Sequence, residues 1–569
     1  MPVHEVQGAA EALLRDGVQH PGVKELGALG ANGDCPGNVS RDFMRMCRRN
    51  GFLEVEPFCE EISIQRPGCA PELWRCPIIL PHEIFHAFWS ADSTQFQNRF
   101  YPGGEQELHK YWHMTRNLPW RLEHGYNSVI ERNPECCVPI RLHGDEAPVT
   151  KAECLNVLNL SSCVSQLPSM FSRLLIWAFT AGFLLNFSVP LQILCWSLRC
   201  CAEGIMPHTD RSGQPFKKGS WRWHARGKPI AGGLRFILAQ FVGDLKHFRD
   251  ILEFDQHYGK ESLCWNCHGV KCCTDLLCAY VFRRDAPWSF APRTHASYMA
   301  SVGHHVLWTQ LPGWHLSLCQ LDLMHIVCLG ILQWCVGSIF FELCEANYFN
   351  APWGGRWQVR WSYQLAIAFG EFKEWCACNA VRTSQPMFST SALSLFSLQD
   401  KPFFKSKASN CWKVGRWLAT VCQQRAASAP CAHNSAVAGT IFGYIRSLEI
   451  CKASGTWLSD DAAGELETCR IAALECHAFL AHEAHRSSRD NVWVTKPKHH
   501  IYDETLRRAC RERLNPGNHW CFADEDFVGK VVQISRFVGG GRARAEGTLR
   551  RYLLRLHCQF HQWTQSIPS

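Results

Sequence analysis

Three short stretches place acids where a cation can be shared. In "CCVPIRLHGDEAPVTK" (136–151), Val138, Ile140 and Leu142 alternate like one face of a strand, ahead of a turn-like Gly144. Asp145 then falls at or just past the strand's end. "GGLRFILAQFVGDLKHF" (232–248) repeats the pattern: an apolar strand, then Gly243, then Asp244. Acids at the ends of neighbouring strands bring carboxylates together, and Mg2+ or Mn2+ needs such a cluster of hard oxygens. A lone Gly-Asp is also what a turn or a helix cap looks like. In "LCQLDLMHIVCLG" (318–330), Asp322 and His325 are spaced i, i+3 and share one face of a helix, amid Leu323, Met324, Ile326, Val327 and Leu329. Such a pair either satisfies itself in the core or stands beside a metal site, where the imidazole contacts a polar substrate group or orients an acid.

Two further clusters carry chemistry. "LCWNCHGVKCC" offers Cys264, Cys267, His268 and Cys272, thiolates and an imidazole suited to Zn2+, although a cysteine-rich chain also yields such spacings by chance. Near the C-terminus, Trp520 precedes the acidic triplet Asp524, Glu525 and Asp526, and the basic Gly-rich "GGGRAR" follows. This is either a solvated surface or a metal-holding group with Arg542 and Arg544 on phosphates.

The elements that must position these residues belong to a long chain. Its 569 residues can form several domains or one core with a large insertion, and 46% hydrophobic against 19% charged residues describes a globular protein. A net charge of +8 permits a nucleic-acid partner without demonstrating one. The 32 cysteines form no compact framework and the opening residues lack a secretory pattern, so a reducing compartment with mostly free thiols is expected. From Leu174 to Leu198 there is no charged residue, which reads either as a membrane span or as a buried helix broken near Pro190.

Residues 1–135 are expected to be helical and irregular, 136–330 the first part of an α/β core, 331–490 a helical block, and 491–569 the return to the core. Within the helical block, Trp357, Trp361, Trp375 and Trp412 are read as core in preference to base-stacking platforms.

The order of these pieces resembles the CACTA (En/Spm-like) group of DDE transposases. Four pieces carry the resemblance: "RLHGDEAP", "GDLKHF" followed by "CWNC", "DLMHIVCLG", and the closing "WCFADEDFVGKVVQ" with "GGGRARAEGTLRRYL". In the last, Trp520 lies five positions before Glu525 and "RARAEG" (542–547) follows, as in the family's closing motif. The resemblance spans about 136 to 556.

What it implies is a ribonuclease-H-like mixed-sheet core interrupted by an all-helical insertion. It further implies Asp145, Asp244 and Glu525 as the acidic triad holding Mg2+ or Mn2+, with Asp322 and His325 as accessory residues. The activity implied is divalent-metal-dependent cleavage and transfer of DNA strands in the nucleus. The partners would be transposon ends and target DNA, with a homo-oligomer and no small-molecule cofactor, and Lys496, Lys498, Arg542 and Arg544 would lie on the DNA backbone. A catalytically inactive or domesticated DNA-binding descendant is the alternative, and a membrane protein anchored through 174–198 a further one.

Overall fold

The computed structural model describes residues 3–49, 55–64, 70–182, 187–250, 254, 256, 259–302, 307–352, 355–540 and 542–566. Its centre is a five-stranded sheet built from β3 (Cys137–Pro148), β4 (Cys154–Ser162), β5 (Arg173–Thr180), β6 (Arg235–Gly243) and β7 (Cys319–Leu321), in the order β5-β4-β3-β6-β7. The first three form an antiparallel meander; β6 adds parallel to β3 on its other side, and β7 adds parallel to β6. Strands covered on both faces are apolar almost without interruption, and β5 (RLLIWAFT) and β6 (RFILAQFVG) are buried along nearly their whole length.

β3 runs on to Pro148 because β4 keeps pairing with it, Asp145 facing Val157 across the ladder. Asp145 therefore lies inside the strand, and the turn expected at Gly144 is strand as well.

The apolar run 174–198 is neither a membrane span nor one broken helix. Its first part is β5, and its later part begins the helix Ser188–Glu203, with Pro190 in the first turn, where a missing N–H costs nothing. That helix stops at Gly204, whose φ of 73° is the left-handed cap that glycine adopts without a Cβ penalty. Continuous apolarity has no period, so it could not separate strand from helix. Another stretch, Met324–Glu345, is long and apolar enough to cross a membrane, but 89% of its most apolar window is buried inside the protein. Among the described residues it is the only helix that qualifies.

The N-terminal region departs from the expected helices and loops. β1 (Phe58–Ile64) and β2 (Glu72–Ile78) form an antiparallel hairpin, and the backbone N–H of Ile79 just beyond it donates to Ile176 O of β5 at 2.9 Å.

Between the sheet and its last helical layer, the chain forms the helices Leu332–Glu345, Trp357–Cys378, Ala408–Ser428, Ala432–Ala453 and Asp460–Arg486. Trp361 is fully buried there, and Trp412 packs edge-on to Trp520 at 5.8 Å. The chain then returns through Pro497–Glu512 to Phe522–Arg536, which packs on β3 and β5, and to Arg542–Ser566 against β5 and β2.

Candidate active site

Register brings the acids together. Gly144 of β3 pairs with Gly243 of β6, and Gly243 pairs with Leu321 of β7. Asp145, Asp244 and Asp322 are the next residue on each of these three parallel strands, so three carboxylates stand in a row at one end of the sheet. The recurrence of strand followed by Asp extends to β7, which sequence reading had passed over because "CQL" is too short to show alternation.

The fourth acid comes from far along the chain. Glu525 lies in the first turn of Phe522–Arg536, and its Oε1 is 3.5 Å from His325 Nε2. The same imidazole meets Asp322 Oδ2 through Nδ1 at 2.5 Å. Asp322 is buried, whereas Asp145, Asp244, His325 and Glu525 are half-buried.

Each acid is held differently. Asp322 Oδ1 accepts the backbone N–H groups of Met324 and Cys521, both at 2.9 Å. Burial raises its pKa, but His325 and these N–H groups outweigh it and hold the carboxyl below its usual range. Asp145 is pushed well above that range, by burial first and then by the charges of Glu525 and Asp244. Glu525 is also raised, because burial together with Asp322 and Asp244 outweighs the attraction of His325. Burial opposes charge on His325, yet Asp322 and Glu525 raise it to about 9, so it is an imidazolium at neutral pH.

A raised histidine pKa contributes stability that is complete below the unfolded value of about 6.5 and is lost as pH rises through about 9. Asp322→Asn is expected to erase that part of the pH–stability curve. Thermal unfolding between pH 6 and 10 checks this, and parallel curves for the two proteins would contradict it.

The acidic triplet sorts into three separate roles. Asp524 is buried in a two-pronged pair with Arg173 of β5, Nε to Oδ1 and Nη2 to Oδ2, both 3.0 Å. Asp526 accepts from Lys530 Nζ at 2.6 Å and from the Ser169 hydroxyl. Only Glu525 points toward His325. Arg141 of β3 donates to Ser161 Oγ at 2.8 Å and to the Asn518 carbonyl, fastening the segment before Glu525 to the sheet. Sequence reading missed Arg141 and Arg173. The available signal was a guanidinium inside an otherwise apolar strand, which cannot be buried without a partner.

Gly144 permits a close approach. A Cβ there would sit 2.1 Å from Cε1 and 2.3 Å from Nε2 of His247, a buried ring on the short helix Leu245–Asp250 that follows Asp244. Gly144→Ala is expected to cost about 1–3 kcal/mol. It should also lower any activity more than stability, because the displaced ring sits three residues from Asp244. Denaturant midpoints compared with rates check both effects.

Several expected residues are engaged elsewhere. Arg544 is buried and pairs with Glu153 at 3.0 Å, so it is not a free phosphate contact. Lys498 Nζ donates to the carbonyls of His325 at 2.7 Å and Leu329 at 3.0 Å, bracing a π-helical turn (Met324–Ile331) that replaces the expected regular helix. Lys496 Nζ lies 4.0 Å over the ring of Trp334. The side chain of Arg542 falls outside the described residues.

In the cysteine-rich loop, Cys264 and Cys267 converge with His500, while His268 and Cys272 are exposed and stand apart from them. Cys272 Sγ instead meets Thr274 Oγ1 at 3.1 Å. Nothing local to "CWNC" announces a partner 233 residues away.

The donors at the sheet end suit a hard divalent cation. Their oxygens are carboxylate oxygens, and the repulsion from Glu525 and Asp244, which adds to burial in raising Asp145, is what a bound cation would relieve. A cleft of about 50 Å3 lined by Asp145, Glu146, Asp244, Lys246, His247 and Asp250 adjoins them. Among the described residues, ligand atoms converge within 4.8 Å at Cys264, Cys267 and His500 and at Asp322, His325 and Cys521; Asp145, Asp244 and Glu525 are more widely spaced. No protein-family model matches the chain, and no curated protein matches it in sequence.

Proposed function

We propose that the chain is a DDE-type, transposase-like enzyme that cleaves and joins DNA strands with divalent metal, acting in the nucleus on transposon ends and target DNA. The observation that carries the reading is the shared rung of β3, β6 and β7, after which Asp145, Asp244 and Asp322 follow side by side, with Glu525 close enough for its charge to raise Asp145. An antiparallel meander extended by two parallel strands, with the last acid delivered by a helix after a helical insertion, supports a ribonuclease-H-like core of the CACTA kind.

Asp145, Asp244 and Glu525 would hold Mg2+ or Mn2+, which when bound polarises the scissile phosphate and activates a water or a DNA 3′-hydroxyl. Asp322 keeps His325 charged and aimed at Glu525. The imidazolium can therefore donate a hydrogen bond to a phosphate oxygen or a proton to the leaving oxygen. Lys498 fixes the backbone of the turn that carries this ring.

The test is cleavage and joining of labelled DNA by the purified chain with and without Mn2+. Metal-dependent products support the proposal. Salt-sensitive DNA binding without products assigns the chain instead to the inactive or domesticated descendants.

A further inference from the structure

The loop 261–293 holds together with little regular structure. It contains one 3-10 turn, Pro287–Phe290, and isolated bridges such as Ser262–Val270 and Cys267–Pro292. Its interior is a small cluster of its own, comprising Leu263, Cys264, Cys267, Ala279, Ala286 and Trp288. Beyond that cluster, Trp265 and Phe282 of the loop reach the main core with half-buried Tyr280 beside them, and segments with so little apolar burial and regular structure ordinarily carry a cross-link or a metal.

The cluster contains a set of ligands already arranged. The sulfurs of Cys264 and Cys267 and one nitrogen of His500 lie within 4.8 Å of one another, and all three residues are buried. Backbone N–H groups point at both sulfurs, from Asn266 to Cys264 at 3.3 Å and from Gly269 to Cys267 at 3.4 Å. Such bonds stabilise thiolates over thiols. Gly269 packs closely here: a Cβ would lie 3.1 Å from His500 Cε1 and 3.3 Å from Cys267 Sγ, so these groups would have to give by a few tenths of an ångström.

His500 is set in the tautomer that a metal ligand requires. Its Nδ1 lies 3.2 Å from the Ala279 carbonyl, which can only accept, so Nδ1 carries the proton. Nε2 is left with its lone pair facing Cys267 Sγ at 3.3 Å. A ligating imidazole that donates its other N–H to a carbonyl is the usual supporting arrangement around zinc. Trp288 packs edge-on to the ring at 4.3 Å and closes one side.

We propose that Cys264, Cys267 and His500 bind one zinc ion that pins the cysteine-rich loop to the helix Pro497–Glu512. Two thiolates and an imidazole are the donors zinc prefers, and binding releases the two thiol protons. Cys267 and Glu504, the latter one helical turn beyond His500, line a cavity of about 250 Å3, which would leave room for a fourth ligand. The first turn of the same helix carries Lys498, the brace of the His325 turn, so the ion would also steady the acidic centre. The zinc site does not rest on the nuclease reading.

Zinc content of the purified full chain, washed with a chelator and measured by mass spectrometry, tests the site. About one ion per chain is expected for the natural protein and for His268→Ala, and a loss of at least about tenfold for His500→Ala and Cys264→Ser. Zinc lost in His268→Ala but kept in His500→Ala would overturn the ligand set. Because the variants can misfold, the reduced, zinc-free natural chain is also titrated with Co2+. Tetrahedral visible bands with thiolate charge transfer are expected at equimolar metal, and their absence would overturn the proposal.

Discussion

Asp244→Ala and Glu525→Gln are each expected to lower Mn2+-dependent strand cleavage by about 10³-fold or more, since under the proposed function the acids would act on the reacting phosphate only through a shared cation. Asp145→Asn should lose activity equally and yet gain stability in metal-free buffer. The Asp145 carboxyl is raised by burial and by Glu525 and Asp244, so its ionised form is unfavourable in the folded chain. The sign follows directly: the folded protein binds this proton more tightly than the unfolded one. Stability therefore falls as pH rises from the unfolded carboxylate range, near 3.9, up through the raised folded value. The gain in Asp145→Asn is thus largest at neutral and alkaline pH, and Mn2+ should stabilise the natural chain and not the variant. Melting curves with and without Mn2+, run beside cleavage rates, read both effects. A variant that loses activity and stability together would mean that Asp145 is structural.

The largest stability loss is expected two residues from the smallest. Asp524→Ala leaves Arg173 charged and unpaired among buried groups, where side-chain exposure is 4% for Arg173 and 1% for Asp524. Removing one partner of such a pair costs about 3–5 kcal/mol. Asp526→Ala breaks a partly exposed pair with Lys530 and should cost at most about 1 kcal/mol. Burial alone would raise Asp524, but Arg173, His143 and Arg141 hold it well below the carboxylate range. Its contribution is therefore present above pH 4 or so and lost only as pH falls through the depressed folded value. Urea midpoints of the two variants decide this, and similar losses would show that Asp524 is not the anchor of the Glu525 helix.

The difference between these neighbours marks what was readable in the sequence. The alternation in β3 and the apolar run of β6 announced strands, and the Gly-Asp endings marked Asp145 and Asp244, because these are local signals. The i, i+3 spacing of Asp322 and His325 likewise led to a real contact, although on a π-helical turn. Which acid of the "DED" triplet faces the sheet end could not be read, since that choice is made by Arg173 and Arg141 on distant strands. His500 stayed hidden for the same reason, and the division of 174–198 into strand and helix because a long uncharged, mostly apolar run shows no period. Of the four cations expected on DNA, Arg544 and Lys498 satisfy groups of the protein itself, because charge in a sequence says nothing of burial.

The most direct measurement is the anomalous scattering of crystals grown with Mn2+. One or two peaks ligated by Asp145, Asp244 and Glu525, absent from Asp244→Ala crystals, are the result expected of a metal-dependent strand-cleaving centre. Density elsewhere, with His325 still paired to Glu525 and no metal between the acids, would contradict it.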